Sequence, residues 1–360
     1  MFGPDHYVPI LKVKTAEKAA MYKLPASVAA RVTPLLEIVV RKEVPESRTK
    51  PAYLPSVDEH LDKAFKGLRK AVNSFNRYFL DCREIAADGH QAAVSVFESA
   101  SRLGTPFIPV TSISRNADVA AALAHRTHGI AMRLSREEFE SGTLPTAVPS
   151  FLKKHGLNAC DVDLIIDLGA VDQMIASGIA ERTEEFLAEV PDHASWRTFT
   201  LSACDFPGTL KMDAGDEDDP VREASFARHQ WTHWCTARRA NGAFLARTPT
   251  FSDCGIQHRS GVEGVTRKIS PAAAIRHSSA DSWHIAKGKR IRGNPPQFPG
   301  LARKIIDATS AAGAHCPGCA GLHKAAANHE GFGNLMKWRE LGTIHHITVT
   351  VESLAALRWP

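Results

Sequence analysis

The chain has 360 residues, 44% hydrophobic and 23% charged, with a net charge of +5 and 17 histidines. This balance is globular and excludes bulk disorder; the charge is too modest for a dedicated DNA-binding domain, yet it permits an anionic ligand. No uninterrupted apolar run approaches the ~20 residues of a membrane span, and no charged segment followed by an apolar core opens the chain, so neither a span nor a signal peptide is expected. The seven cysteines (Cys82, Cys160, Cys204, Cys235, Cys254, Cys316 and Cys319) are odd in number and scattered. They predict reduced thiols in a cytoplasmic protein rather than a disulfide framework.

The stretch YVPILKVK (Tyr7–Lys14) reads as a buried strand near Pro9, which has no N–H to give a ladder. Lys12 and Lys14 then share a face at its C-terminal end. A helical TAEKAAMYKLPASVAARV follows, broken near Pro25, and PLLEIVV (Pro34–Val40) is the second strand, with Glu37 at its middle. After a Pro-rich loop and a helix from Val57 to Val72, NRYFLDC gives a third strand reaching Asp81. A helix over Gln91–Leu103 precedes TPFIPVTSI, and one over Ala117–His125 precedes HGIAMRL with Arg133. Helix Glu137–His155 leads to VDLIIDLG with Asp163 and Asp167, and helix Val171–Glu189 leads to WRTFTLSAC. An acidic loop and the aromatic helix ARHQWTHWCTARRA follow. FLARTPTFSDCG, with Ser252 and Asp253, is then the eighth strand, although Ala272–His277 competes for that place.

Strands alternating with helices in this way predict parallel pairing, and eight of them predict an α/β fold of the (β/α)8, TIM-barrel-like kind. One large barrel domain covers residues 1–260. Residues 261–360 form an α+β extension with a Cys/His cluster, packing on or completing the barrel. An open doubly wound sheet is the competing architecture, but no Gly-rich phosphate fingerprint follows any strand.

The opening YVPILKVK with AEKAA and PLLEIV, then RHQWTHW, TFSDCGI, SWHIAKGKRIRG and GNLMKWRELGTIHHIT in that order, resembles the phage and prophage beta protein family over nearly the whole chain. Cys254 departs from the aromatic residue expected there. The resemblance implies a prophage context and a role in antiphage defence, with a toxic protein partner encoded in the same cassette. It implies no reaction for any particular residue.

In such a barrel the charged side chains at C-terminal strand ends converge on one mouth. Lys12, Glu37, Asp81, Arg133, Asp167 and Asp253 are the candidate catalytic set. Mixed signs suit anion binding with acid–base work, or a hard cation such as Mg²⁺. The natural chemistry is metal-dependent phosphoester hydrolysis on a nucleotide or nucleic acid. Arg276 and the basic loop carrying Lys287, Lys289 and Arg290 would bind the ligand's phosphates. Two other readings compete: an inert ion network, or a non-catalytic interaction subunit that restrains a toxic effector or senses through it.

In His315-Cys316-Pro-Gly-Cys319-Ala-Gly-Leu-His323, Cys316, Cys319 and His323 are candidate ligands of a structural Zn²⁺, completed by His315, His329 or a residue of the His345–His346 pair. A Gly/Cys-rich turn or a redox pair competes. His345 and His346, read as a strand, would point to opposite faces, one packed and one at the surface. Trp231 and Trp234, three apart on a helix, are expected to pack on the barrel, and Asp216–Pro220 is expected to be a solvated acidic loop.

Overall fold

Eight short parallel strands close a barrel: β1 (Tyr7–Lys12), β2 (Leu35–Glu37), β3 (Tyr78–Asp81), β4 (Phe107–Thr111), β5 (Ile130–Ser135), β6 (Val162–Ala170), β7 (Thr198–Cys204) and β9 (Thr250–Asp253). The intervening β8 (Arg222–Ala227) joins β10 (Ala272–Ser278) and β11 (Ser282–Arg290) in a separate antiparallel sheet of order β10-β11-β8. The structure is a computed structural model and describes residues 2–46, 51–190, 192, 194–208, 222–239, 247–260, 271–293, 296–309, 315–327 and 333–357.

Each barrel strand is a short apolar run buried on both faces, as a parallel strand between an outer helical layer and a filled interior must be. Because side chains alternate across a strand, the two faces separate cleanly. Val8, Ile10, Leu35, Phe79, Ile108, Val110, Ala131 and Ile165 form one interior cluster. Tyr7, Leu11, Leu36, Leu80, Leu134 and Phe251 belong to the larger cluster shared with the helices. The helices carry local signals of their own. Ser56 accepts from the Glu59 N–H while the Glu59 carboxylate accepts from the Ser56 N–H, a reciprocal cap that starts helix Val57–Phe65.

The expected barrel is present, with Thr250–Asp253 as its eighth stave and Ala272–Ser278 in the appended sheet. Three local readings are corrected. Lys287, Lys289 and Arg290 lie on strand β11, not in a loop. GTIHHIT lies inside the 22-residue helix Leu335–Ala356, and His345 and His346 are both buried. That helix is wedged between barrel and sheet, so it is covered nearly all round and shows no amphipathic period. Gly342 makes the wedge possible, since a Cβ there would come within 2.7 Å of the Arg276 carbonyl oxygen on β10.

The third correction concerns the cysteines. Ser202 pairs opposite Ser252 on β7 and β9, so Cys204 and Cys254, two residues on, face each other and are joined in a disulfide. The ground for expecting seven reduced thiols therefore fails, although Cys82, Cys160, Cys235, Cys316 and Cys319 are free. Trp231 and Trp234 pack as expected, stacked at 5.8 Å and edge-on to Phe251 of the barrel wall. Asp216–Pro220 and His329 lie outside the described residues. Among the described residues no helix is long and apolar enough to cross a membrane.

Candidate functional site: the barrel mouth

Glu37 and Asp81 end β2 and β3, and Arg133 and Asp167 occupy the inward-facing class of β5 and β6. All four are buried and meet above the apolar interior layer. Arg133 Nε donates to Asp167 Oδ2 (3.0 Å), and Nη2 donates to the same oxygen. Its Nη1 donates to Glu37 Oε1 and Asp81 Oδ2, both at 2.8 Å. One fork thus bridges three strands' carboxylates, a geometry that a point-charge lysine does not reproduce.

Two further arginines complete the cluster, and neither stood out in the sequence. Arg259, in the segment after β9, reaches Glu37 Oε1 at 2.7 Å and Asp167 Oδ2 at 3.7 Å. Arg115, after β4, pairs with Asp81 Oδ1 at 2.7 Å and with Asp118. They come from loops without periodicity. The one signal that could have found them is charge arithmetic, since three buried carboxylates cannot be held by Arg133 alone.

Burial pushes the Glu37 carboxyl up, but the Arg259 and Arg133 guanidiniums outweigh it and hold it below the ordinary carboxylate range. Asp81 is held down against its burial by Arg115 and Arg133, and Asp167 by Arg133 and Arg259. Carboxylates of this kind stay ionised near neutrality and are poor general acids. Their oxygens are also occupied: Asp81 Oδ1 by Arg115 and the Arg83 N–H, and Asp167 Oδ1 by the Gly169 N–H. Only Glu37 Oε2 lacks a hydrogen-bond donor among the described residues. This donor set does not suit Mg²⁺, which would have to displace guanidiniums from the oxygens it needs.

The remaining candidates are dispersed. Lys12 turns to Glu84 at 3.2 Å. Asp253 belongs to the outward class of β9: it accepts from Tyr7 Oη (2.5 Å), Arg228 Nη2 (3.2 Å) and the Gly255 N–H (2.8 Å), and His346 Nε2 lies 3.1 Å away. It ties the barrel to the C-terminal helix and takes no part in the mouth. Arg276 is half-buried beside that helix, where it donates to the Ile256 carbonyl (2.8 Å) and lies over the Phe206 ring. Burial lowers its pKa to about 10. Lys287, Lys289 and Arg290 are on the appended sheet. His323 sits on helix Pro317–Ala326, outside the group formed by Cys316, Cys319, His315 and His345.

At the rim, where β1 ends, a cavity of about 310 Å³ is lined by Lys14, Thr15, Glu17, Leu335, Met336 and Arg339. Burial lowers the Lys14 pKa, and although Glu17 pulls it up, Lys12, Arg339 and Lys42 push it down further. No carboxylate forms an ion pair with Lys14 among the described residues. Glu17 is fully buried; its Oε1 accepts from Gln257, and its Oε2 has no donor among the described residues. A second cavity, of about 340 Å³, lies at the opposite end of the barrel. There Asp163 is consumed by Arg197 and Thr198.

No curated protein matches the chain. The family model described as Beta protein matches residues 7–352, nearly the whole chain, so this chain belongs to the beta protein family.

Proposed function

We propose that the C-terminal face of the barrel binds a phosphate-bearing ligand, a nucleotide or the end of a nucleic acid, without hydrolysing it. The observation that carries this reading is the cationic rim, where no carboxylate is ion-paired with Lys14 among the described residues. Lys14 and Arg339 line a cavity of about 310 Å³, where Glu17 attracts Lys14 while Lys12, Arg339 and Lys42 repel it. An anion placed there would relieve that repulsion, and partial burial would strengthen the attraction. The helix Thr15–Lys23 starts at this point with no side chain capping its first N–H groups, which favours negative charge at the same spot.

Glu17 argues for a nucleotide over bare phosphate. Glu17 lines the same cavity, and its buried Oε2 has no donor among the described residues; an exocyclic amino or ring N–H of a base that reached it would supply one. The paired arginines and carboxylates inside the mouth do not line this cavity. Since all of the Glu37, Asp81 and Asp167 oxygens but Glu37 Oε2 are taken, binding is favoured over metal-assisted hydrolysis. If the protein acts in antiphage defence, as its resemblance implies, the ligand would be the signal it responds to, and a toxic partner would be the effector.

The test is calorimetric titration of the full chain with inorganic phosphate, a nucleoside triphosphate and a short single-stranded oligonucleotide. At least one nucleotide probe is expected to bind, with affinity falling about tenfold or more in Lys14→Ala and Arg339→Ala. No binding by the wild type, or binding indifferent to both substitutions, would leave the mouth as an inert ionic plug.

A further inference from the structure

Outside the mouth, one cluster of metal-ligating side chains stands apart. One ring nitrogen each of His315 and His345 and the sulfurs of Cys316 and Cys319 all lie within 4.8 Å of one another. The sulfurs are 3.6 Å apart. His345 Nδ1 is 3.1 Å from Cys319 Sγ and 3.7 Å from Cys316 Sγ, and His315 Nδ1 is 3.4 Å from Cys319 Sγ. A tetrahedral Zn²⁺ with Zn–S about 2.3 Å and Zn–N about 2.0–2.1 Å separates neighbouring ligand atoms by about 3.3–3.8 Å. A disulfide would instead need the sulfurs at about 2.05 Å.

The surroundings are those of a metal site. His345 Nε2 lies 2.7 Å from the Ser278 carbonyl oxygen. A carbonyl only accepts, so Nε2 must carry the proton and the Nδ1 lone pair faces the sulfurs. His315 Nε2 lies 3.7 Å from the Glu352 carboxylate. Cys316 caps helix Pro317–Ala326, and its sulfur accepts from the Cys319 N–H. Gly318 lets this turn press on the neighbouring helix, because a Cβ there would collide with the Leu341 carbonyl oxygen.

We propose that His315, Cys316, Cys319 and His345 bind one structural Zn²⁺ that staples helix Pro317–Ala326 to helix Leu335–Ala356. Four protein ligands leave no open position, so the ion is structural rather than catalytic. The sequence expectation of Cys316 and Cys319 stands within this set. His345, 26 residues beyond Cys319 in the chain, takes the place assigned to His323.

The experiment replaces zinc with Co²⁺ in the full-length, reduced protein and records its visible spectrum. One equivalent should bind, with the strong d–d bands of a tetrahedral ion and a thiolate charge-transfer band. Binding should weaken about tenfold or more in His345→Ala and remain as in the wild type in His323→Ala. No Co²⁺ or Zn²⁺ bound by the wild type would overturn the proposal, as would a spectrum indifferent to His345→Ala or lost in His323→Ala. Alkylation of the folded wild type is a check that needs no variant. Added Zn²⁺ should protect Cys316 and Cys319 while the exposed Cys160 still reacts; equal labelling with and without Zn²⁺ would refute the site.

Discussion

Replacing Arg133 with methionine tests whether the mouth is held by one guanidinium. Arg133 is 2% exposed and makes its four hydrogen bonds to Glu37, Asp81 and Asp167. Methionine fills much of the volume but leaves three buried carboxylates to Arg259 and Arg115. Breaking a buried pair by removing one partner costs about 3–5 kcal/mol, because the charge left behind is uncompensated. The sign of the pH effect follows. In the wild type these carboxylates are held below their ordinary range, so their stabilisation is complete above the unfolded pKa near 4 and disappears only in stronger acid. In Arg133→Met the desolvation is no longer offset, at least one folded-state pKa rises, and the deficit shrinks as pH falls. With about 1.4 kcal/mol per pH unit per proton, moving from pH 7 to 5.5 should recover roughly 2 kcal/mol. Guanidinium unfolding of wild type, Arg133→Met and Arg133→Lys at both pH values reads this directly, with lysine intermediate because it keeps the charge and loses the fork. A methionine variant within about 1 kcal/mol of wild type at pH 7, with no pH dependence, would refute the reasoning.

Asp205 accepts from Trp283 Nε1 (2.9 Å) and the Gln230 N–H (3.1 Å), and burial raises its pKa to about 7, with Arg228 opposing and Asp253 adding to the rise. The folded chain therefore binds more protons than the unfolded one between about pH 4 and 7, and this contribution declines as pH rises through that window. Against wild type, Asp205→Asn should gain up to about 4 kcal/mol between pH 4 and 8; a flat difference would refute the shift. The Cys204–Cys254 bridge closes a 50-residue separation, for which chain entropy gives about 4 kcal/mol. Reduction should lower the guanidinium midpoint accordingly, and finding all seven cysteines alkylated in denaturant without reductant would remove the bridge. Gly342→Ala should cost about 1–3 kcal/mol by overpacking against β10, and a neutral thermal shift would show that the helix can retreat.

The barrel was legible because its signal is repeated. Runs such as VDLIIDLG and YFLD between helices can only be staves buried on both faces, and their strand-end charges pointed to Glu37, Asp81, Arg133 and Asp167. Asp253 was misplaced for a reason of parity: Ser252 and Cys254 face inward, so the residue between them cannot. Arg115, Arg259 and the Lys14–Arg339 cavity come from loops and distant helices that only the closed fold brings together. The His345–His346 pair misled because β-branched neighbours suggest a strand, whereas a helix enclosed on all sides has no polar face to reveal its period. Once that segment is helical, the two rings diverge by about 100° rather than 180°. One can then reach the cysteines while the other reaches the barrel.

That divergence bears on how the chain is made. His346 contacts Asp253 and Tyr7 across the seam where β1 meets β9, 339 residues from Tyr7. During synthesis the first stave must wait for 339 further residues before its tyrosine finds both partners. Contacts this distant in sequence are slow to form, because loop closure must be met before they stabilise anything. A nascent barrel stalled short of residue 346 would present an unlatched seam with free strand edges, the form most exposed to mispairing and to proteases.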